Sequence, residues 1–198
     1  MLYKEIPFEI HITINNLELS RRIDFINFCN TIDAKPIIIE LSKGEFINQP
    51  MISKILYSNN IDEILLTSNE FSKALAAKGF NVNRIKIETP AKYSFLFENY
   101  ITSFKKYFEY HCKIDFIKIE HLKELCNKHN VHLSLNSLSK ESNKRFITLR
   151  EFGTKTEFDD RIDILTKDLE IGNWIIFKQE SEFCIYDNNN FLDNGWLL

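Results

Sequence analysis

Phe8-Glu-Ile-His-Ile-Thr-Ile14 and Phe108-Glu-Tyr-His-Cys-Lys-Ile114 are the two stretches on which the reading of this chain turns. A strand sends alternate side chains to opposite faces, so Phe8, Ile10, Ile12 and Ile14 share one face while Glu9, His11 and Thr13 share the other. The second stretch alternates in the same way and is identical at four of seven positions. Further matches follow in the same order. Cys29-Asn30 answers to Cys126-Asn127, Leu41-Ser42-Lys43 to Leu138-Ser139-Lys140, and Ile85-Lys86-Ile87-Glu88 resembles Phe177-Lys178-Gln179-Glu180. An ordered series of matches at a nearly constant offset marks an internal duplication.

Each copy reads as the same series of elements. In the first, strands are expected at 7–14, 36–40 and 82–88 and helices at 18–32 and 69–78, the latter stopped by Gly79. The segment 46–58 is ambiguous. In the second, strands are expected at 107–114, 131–137, 145–151 and 174–179, helices at 119–129 and 157–170, and a further strand near 182–186. A β-α-β-β-α-β order with right-handed crossovers puts both helices on one face of an antiparallel sheet, the ferredoxin-like arrangement. The expectation is therefore an α+β protein with one ferredoxin-like half at 1–90, a packed aromatic connector at 91–106, and a second half with a C-terminal cap at 107–198. Two antiparallel sheets would then face a central polar cleft. Trp196, after a run of turn-forming residues, is expected to tuck against the body.

Composition narrows the classes. With 198 residues, 44% apolar and 27% charged, the chain can bury a full core without a structural metal or disulfides. Its four cysteines, Cys29, Cys112, Cys126 and Cys184, have no Cys-x-x-Cys spacing and read as buried thiols. A formal net charge of -3 with mixed signs argues against binding of duplex nucleic acid. The N-terminus lacks a signal-peptide apolar core, and no apolar run approaches the roughly 18 residues that span a bilayer, so no membrane association and a cytoplasmic location are expected. Oligomeric state is not readable.

The strand faces turned away from the helices carry the chemistry. They present Glu9, His11 and Thr13; Arg84, Lys86 and Glu88; Glu109, His111 and Lys113; His132, Ser134 and Asn136; and Thr148 and Arg150. Imidazoles titrate near neutrality and suit acid and base roles, which makes His11, His111 and His132 the catalytic candidates. Thr13, Arg84, Lys86, Lys113, Ser134 and Arg150 are candidates for holding a ligand, with Glu9, Glu88 and Glu109 as acidic partners. The cations point to an anionic ligand.

Two short motifs, His11-Ile-Thr13-Ile and His132-Leu-Ser134-Leu, resemble the paired His-x-Thr/Ser motifs of the two-histidine phosphoesterases. That resemblance implies a duplicated α+β fold and a phosphoesterase-like hydrolase that works without a metal or other cofactor. It would bind a phosphorylated small molecule or nucleotide, with one histidine as base, the other as acid, and Thr13 and Ser134 on the phosphate. The repeat itself pairs His11 with His111, whose second neighbour is Lys113 rather than Thr or Ser. Two other readings stand beside it. Glu9, His11, Glu109 and His111 could chelate a divalent metal ion between the halves in a metal-dependent enzyme, or the polar faces could form a nucleotide- or peptide-binding domain without turnover.

Overall fold

The computed structural model describes residues 5–139, 141 and 143–196; Lys140, the last residue of the repeated Leu-Ser-Lys, lies outside them. The first half runs β1 (Ile6–Ile14), α1 (Arg22–Thr31), β2 (Lys35–Leu41), β3 (Asn48–Ser58), α2 (Ile61–Ala77) and β4 (Val82–Pro90). The second runs β5 (Tyr107–Asp115), α3 (Ile119–His129), β6 (His132–Asn136), β7 (Lys144–Glu151), α4 (Lys155–Ile171) and β8 (Ile176–Asp187). A 3₁₀ segment, Ala91–Phe97, opens the connector between them.

Local chemistry explains most of these boundaries. Asn60 caps α2 by accepting from the Asp62 amide, and Gly79, at φ +78, takes the left-handed conformation that ends it. Thr154 and Glu157 form a reciprocal capping box at the start of α4. At its other end Asn173, one residue past Gly172, adopts the left-handed conformation. The ambiguous segment becomes β3, because Met51 and Ile52 alternate with partners on both sides. The two strands expected at 174–179 and 182–186 are one continuous strand, β8.

The strands do not form two facing sheets. They form one closed antiparallel barrel in the order β1-β3-β2-β6-β7-β5-β8-β4, which corrects the expected two-sheet ferredoxin-like duplication. Within each half the central strands pair as the duplication requires. The difference lies at the edges, where β4 pairs with β8 and β2 with β6. Closure removes every free sheet edge, the costliest feature of two open sheets.

The helices lie outside, so the apolar strand faces point outward and the polar ones inward. Phe8, Ile10 and Ile12 are buried with Phe25, Ile64 and Leu75 of α1 and α2; Phe108, Cys112 and Ile114 are buried with Leu122, Phe158 and Leu165 of α3 and α4. All four cysteines are free and buried. Burial pushes the thiols of Cys29 and Cys126 up to about 12. Among the described residues no helix is long and apolar enough to cross a membrane.

The seams are unequal. β2 and β6 share three residue pairs, whereas β1 and β3 share eight. Hydrogen exchange should reflect this, because short ladders open locally at lower free energy. Peptides covering 36–41 and 132–137 are expected to exchange at least about tenfold faster than those covering 8–13 and 108–113, consistent with an opening free energy lower by about 1.4 kcal/mol; equal protection would show that this seam is not the weakest.

Candidate functional site in the barrel lumen

Inside the barrel is a cavity of about 230 Å³. One wall is apolar, built by Ile37, Ile39, Met51 and Phe146; the facing wall carries Glu9, His11, Glu88, Glu109, His111 and Glu182.

Strand register shows how the duplication builds that polar wall. Glu9 lies opposite Glu88 and His11 opposite Ser53; Glu109 lies opposite Glu182 and His111 opposite Thr148. Each half thus supplies the same quartet of two glutamates, one histidine and one hydroxyl. In the first, His11 Nε2 is 3.3 Å from Glu88 and 3.6 Å from Glu9, and the Ser53 hydroxyl donates to Glu9 at 2.5 Å. In the second, His111 Nε2 is 3.5 Å from Glu109 and 3.4 Å from Glu182, while its Nδ1 is 3.0 Å from the Thr148 hydroxyl.

Lys86 joins the quartets. Its ammonium is ion-paired with Glu88 at 2.7 Å and with Glu109 across the barrel. Arg150 also grips Glu109, through two nitrogens at 2.8 and 2.6 Å. One end of the lumen is closed by a second ionic layer. Arg84 holds Asp187 through two nitrogens at 2.9 and 2.6 Å and contacts Asp193, which also pairs with Arg150 at 2.7 Å. Asp193 arrives on the C-terminal segment, whose Trp196 lines the lumen. That segment passes so close to Gly44 that a Cβ there would sit 3.2 Å from Trp196 Cβ.

The protonation states follow from these neighbours. Burial alone would lower the His111 pKa, but Glu109 and Glu182 outweigh it and carry the group up to about 9. Burial acts on His11 in the same sense, and Glu88 and Glu9 again overcome it and raise the group. For Glu109 burial favours the neutral acid, yet Lys86 and Arg150 hold it well below the usual carboxylate range. Glu182 goes the other way. Burial and the nearby Glu88 push it up to about 8, so it keeps its proton at neutral pH.

The structure sorts the sequence candidates clearly. Glu9, His11, Thr13, Arg84, Lys86, Glu88, Glu109, His111, Ser134 and Arg150 all line the lumen, whereas His132 and Lys113 do not. Lys113 is ion-paired with Glu141. His132 packs against Trp196 at 5.8 Å between ring centroids and lines a separate groove beside β6 and α3. Burial and the neighbouring Lys43 depress it to about 4, so it stays neutral.

The four cations on which an anionic ligand depended are therefore already committed: Arg84 to Asp187 and Asp193, Lys86 to Glu88 and Glu109, Arg150 to Glu109 and Asp193, and Lys113 to Glu141. A phosphoryl group entering the lumen would meet five glutamates, and the expectation of a phosphorylated ligand and a phosphoesterase-like hydrolase does not hold. For a metal, the donor atoms that come together among the described residues are those of Glu88, Glu109 and His111, within 4.8 Å of one another. Glu9 and His11 are not in that group, and the Lys86 ammonium pairs with both of its carboxylates.

Three functional residues escape a reading of the sequence. Glu182 is the duplicate of Glu88 by strand register, whereas the sequence match aligns Glu88 with Glu180, two residues out of step. Ser53 lies in the ambiguous segment, and nothing local marks Asp193.

No protein-family model matches the sequence, and no curated protein matches it. Among solved structures, the chain is similar to a heme-binding protein from Thermus thermophilus at 7% identity, with 91% of each chain covered and a TM-score of 0.31. It is similar to a candidate monooxygenase from Fusobacterium nucleatum subsp. nucleatum at 12% identity, covering 99% of this chain and 98% of that one with a TM-score of 0.34. A candidate monooxygenase from Lactobacillus acidophilus follows at 9% identity, 91% and 93% coverage, and a TM-score of 0.30. None of the three is described as a phosphoesterase, and at this distance none assigns an activity to this chain.

Two outcomes test the electrostatics. Glu109→Ala leaves Lys86 and Arg150 without their shared carboxylate and should cost about 3–5 kcal/mol in denaturant unfolding; a loss below about 1 kcal/mol would show the network is not buried. His111 and Glu182 both bind protons more tightly folded than unfolded, so their contribution is full below their unfolded pKa values and is lost as pH rises through about 8 to 9. The groups facing them are Glu9, His11, Lys86, Glu88 and Glu109. The melting temperature should fall between pH 7 and about 9.5, and His111→Gln should flatten that fall.

Proposed function

We propose that the lumen binds a small, uncharged organic molecule with an apolar body and holds its polar end against the paired glutamate–histidine quartets for proton transfer. The observation that carries this reading is the charge balance of the cavity. In the lumen and its closed end, the carboxyls of Glu9, Glu88, Glu109, Glu180, Asp187 and Asp193 face Lys35, Arg84, Lys86, Arg150, Lys178 and the imidazoles of His11 and His111, while Glu182 keeps its proton. A charged ligand would have to break an existing ion pair and bury an uncompensated charge, at a cost of several kcal/mol.

Shape and polarity support the same reading. A cavity of about 230 Å³ is smaller than the usual drug-sized site, which limits the ligand to a compact molecule. Ile37, Ile39, Met51 and Phe146 offer it an apolar surface. Opposite them, the buried Nδ1 of His11 has no hydrogen bond among the described residues. A buried polar atom left so is costly, and a bound polar group would satisfy it.

Shape-matched molecules that differ only in charge test this. Cyclohexanone and cyclohexanol should raise the melting temperature, by about 5–10 °C if present at some 100-fold over Kd, while cyclohexylamine and cyclohexanecarboxylate should not. Met51→Arg, which places a charge on the apolar wall, should abolish the shift. Stabilisation by the carboxylate alone, or by no member, would contradict the reading.

A further inference from the structure

The two quartets are equivalent in register but not in what their members are tied to, and the difference singles out one pair. Glu88 is ion-paired with Lys86, and Glu9 accepts from Ser53. Glu109 is held by Lys86 and Arg150. Glu9 and Glu182 are the two without a lysine or arginine partner among the described residues, and of these Glu9 accepts from Ser53 whereas Glu182 lies 3.4 Å from His111 Nε2. The asymmetry arises at two register positions, and at one of them Arg150 lies opposite Glu109 where Ile55 lies opposite Glu9. At the other, the residue opposite His11 on its neighbouring strand is Lys86, whereas the residue opposite His111 is Glu180. The ammonium therefore reaches Glu88 and Glu109 and leaves Glu182 free of a structural cation among the described residues. On the other side of the imidazole, Thr148 engages Nδ1, which aims Nε2 at Glu109 and Glu182.

Resting on the reading of the lumen as a site for uncharged molecules, we propose that Glu182 and His111 are a proton-exchanging pair that enolises a small neutral carbonyl compound. A carbonyl oxygen and its α-carbon are two bonds apart, so one molecule can present the oxygen to His111 Nε2 and the α-hydrogen to Glu182. The ionised Glu182 carboxylate takes the α-proton and becomes the carboxylic acid. The C–H electron pair becomes the carbon–carbon double bond, and the carbonyl π pair takes the Nε2 proton of His111, leaving an enol and a neutral imidazole. Return of the protons regenerates the carbonyl compound, either unchanged or with the carbonyl moved to the neighbouring carbon when that carbon bears a hydroxyl. No oxidant or reductant enters the balance. Titration of the acid at about 8 and of the imidazolium at about 9 supports the roles, because groups so close in affinity pass protons in either direction at small cost. Lys86 and Thr148 are positioning residues, the first by committing Glu88 and Glu109 and the second by fixing the ring.

The test uses the full chain with neutral 2-hydroxy ketones such as hydroxyacetone and 1-hydroxy-2-butanone in deuterium oxide. Loss of the α-proton signals is followed by NMR, and binding is read in parallel from the melting temperature. The protein should speed exchange well above the buffer rate, with a maximum between about pH 8 and 9. Glu182→Gln and His111→Gln should each lower the rate about 10²-fold or more while ligand stabilisation persists, so the loss falls on turnover, not on binding. Glu182→Gln is isosteric and removes a carboxyl whose ionisation the fold opposes, so it should fold; Glu182→Asp should recover part of the rate. Hydroxy ketones that stabilise the protein without exchanging above the buffer rate, or Glu182→Gln exchanging like the unaltered chain, would overturn this proposal and leave the lumen reading intact. Failure of any uncharged molecule to bind would overturn both.

Discussion

The Lys86 ammonium, held between Glu88 of its own half and Glu109 of the other, is the interaction on which the rest of this structure depends. Turning polar strand faces inward takes charges out of water, which costs several kcal/mol per ion unless each finds a partner. Lys86 meets that condition across the duplication. Arg84 does the same by pairing with Asp187 and Asp193, and Arg150 by joining Glu109 to Asp193. These pairs make two half-barrels into one closed ring. They also leave a lumen that is crowded with ionisable groups and yet electrically balanced.

That balance links fold to function. An eight-stranded barrel is just wide enough to fill with side chains or to hold one small ligand. Here the polar groups crowd one wall, and Ile37, Ile39, Met51 and Phe146 leave the other apolar. The two halves supply two glutamate–histidine quartets, and the differences between Lys86 and Glu180 and between Ile55 and Arg150 at equivalent register positions make them unequal. Lys86 and Arg150 bind Glu88 and Glu109 into the framework, whereas the Glu182 carboxyl and the His111 imidazole stand 3.4 Å apart with no lysine or arginine on Glu182 among the described residues.

Much of this is legible in the sequence, and the parts that are not share a cause. The alternation in Phe8–Ile14 and Phe108–Ile114 announces the strands and their polar face, because the two-residue period is local. Whether that face meets water or a lumen is decided by which edge strands pair, and no residue in β2, β4, β6 or β8 states this. An inward polar face and a solvent face read alike, so Glu9, His11, Arg84, Lys86, Glu109 and His111 can be picked out while their closed barrel cannot. Arg84 and Lys86 read as anion binders for the same reason, since their partners Asp187, Asp193 and Glu109 come from distant segments. Glu182 is hidden because the sequence match around it runs two residues out of step with the strand register. His132 matches a His-x-Ser pattern, but Trp196 packs on its ring and it lines a groove outside the lumen.

Proton NMR titration of the imidazole ring signals reads the inward orientation of the histidine-bearing strands directly. The account predicts that His111 titrates with a midpoint near 9, that His11 titrates above 6.5, and that His132 stays neutral down to about 4. Midpoints near 6.5 for all three would place these rings in water and contradict the closed, charge-balanced lumen.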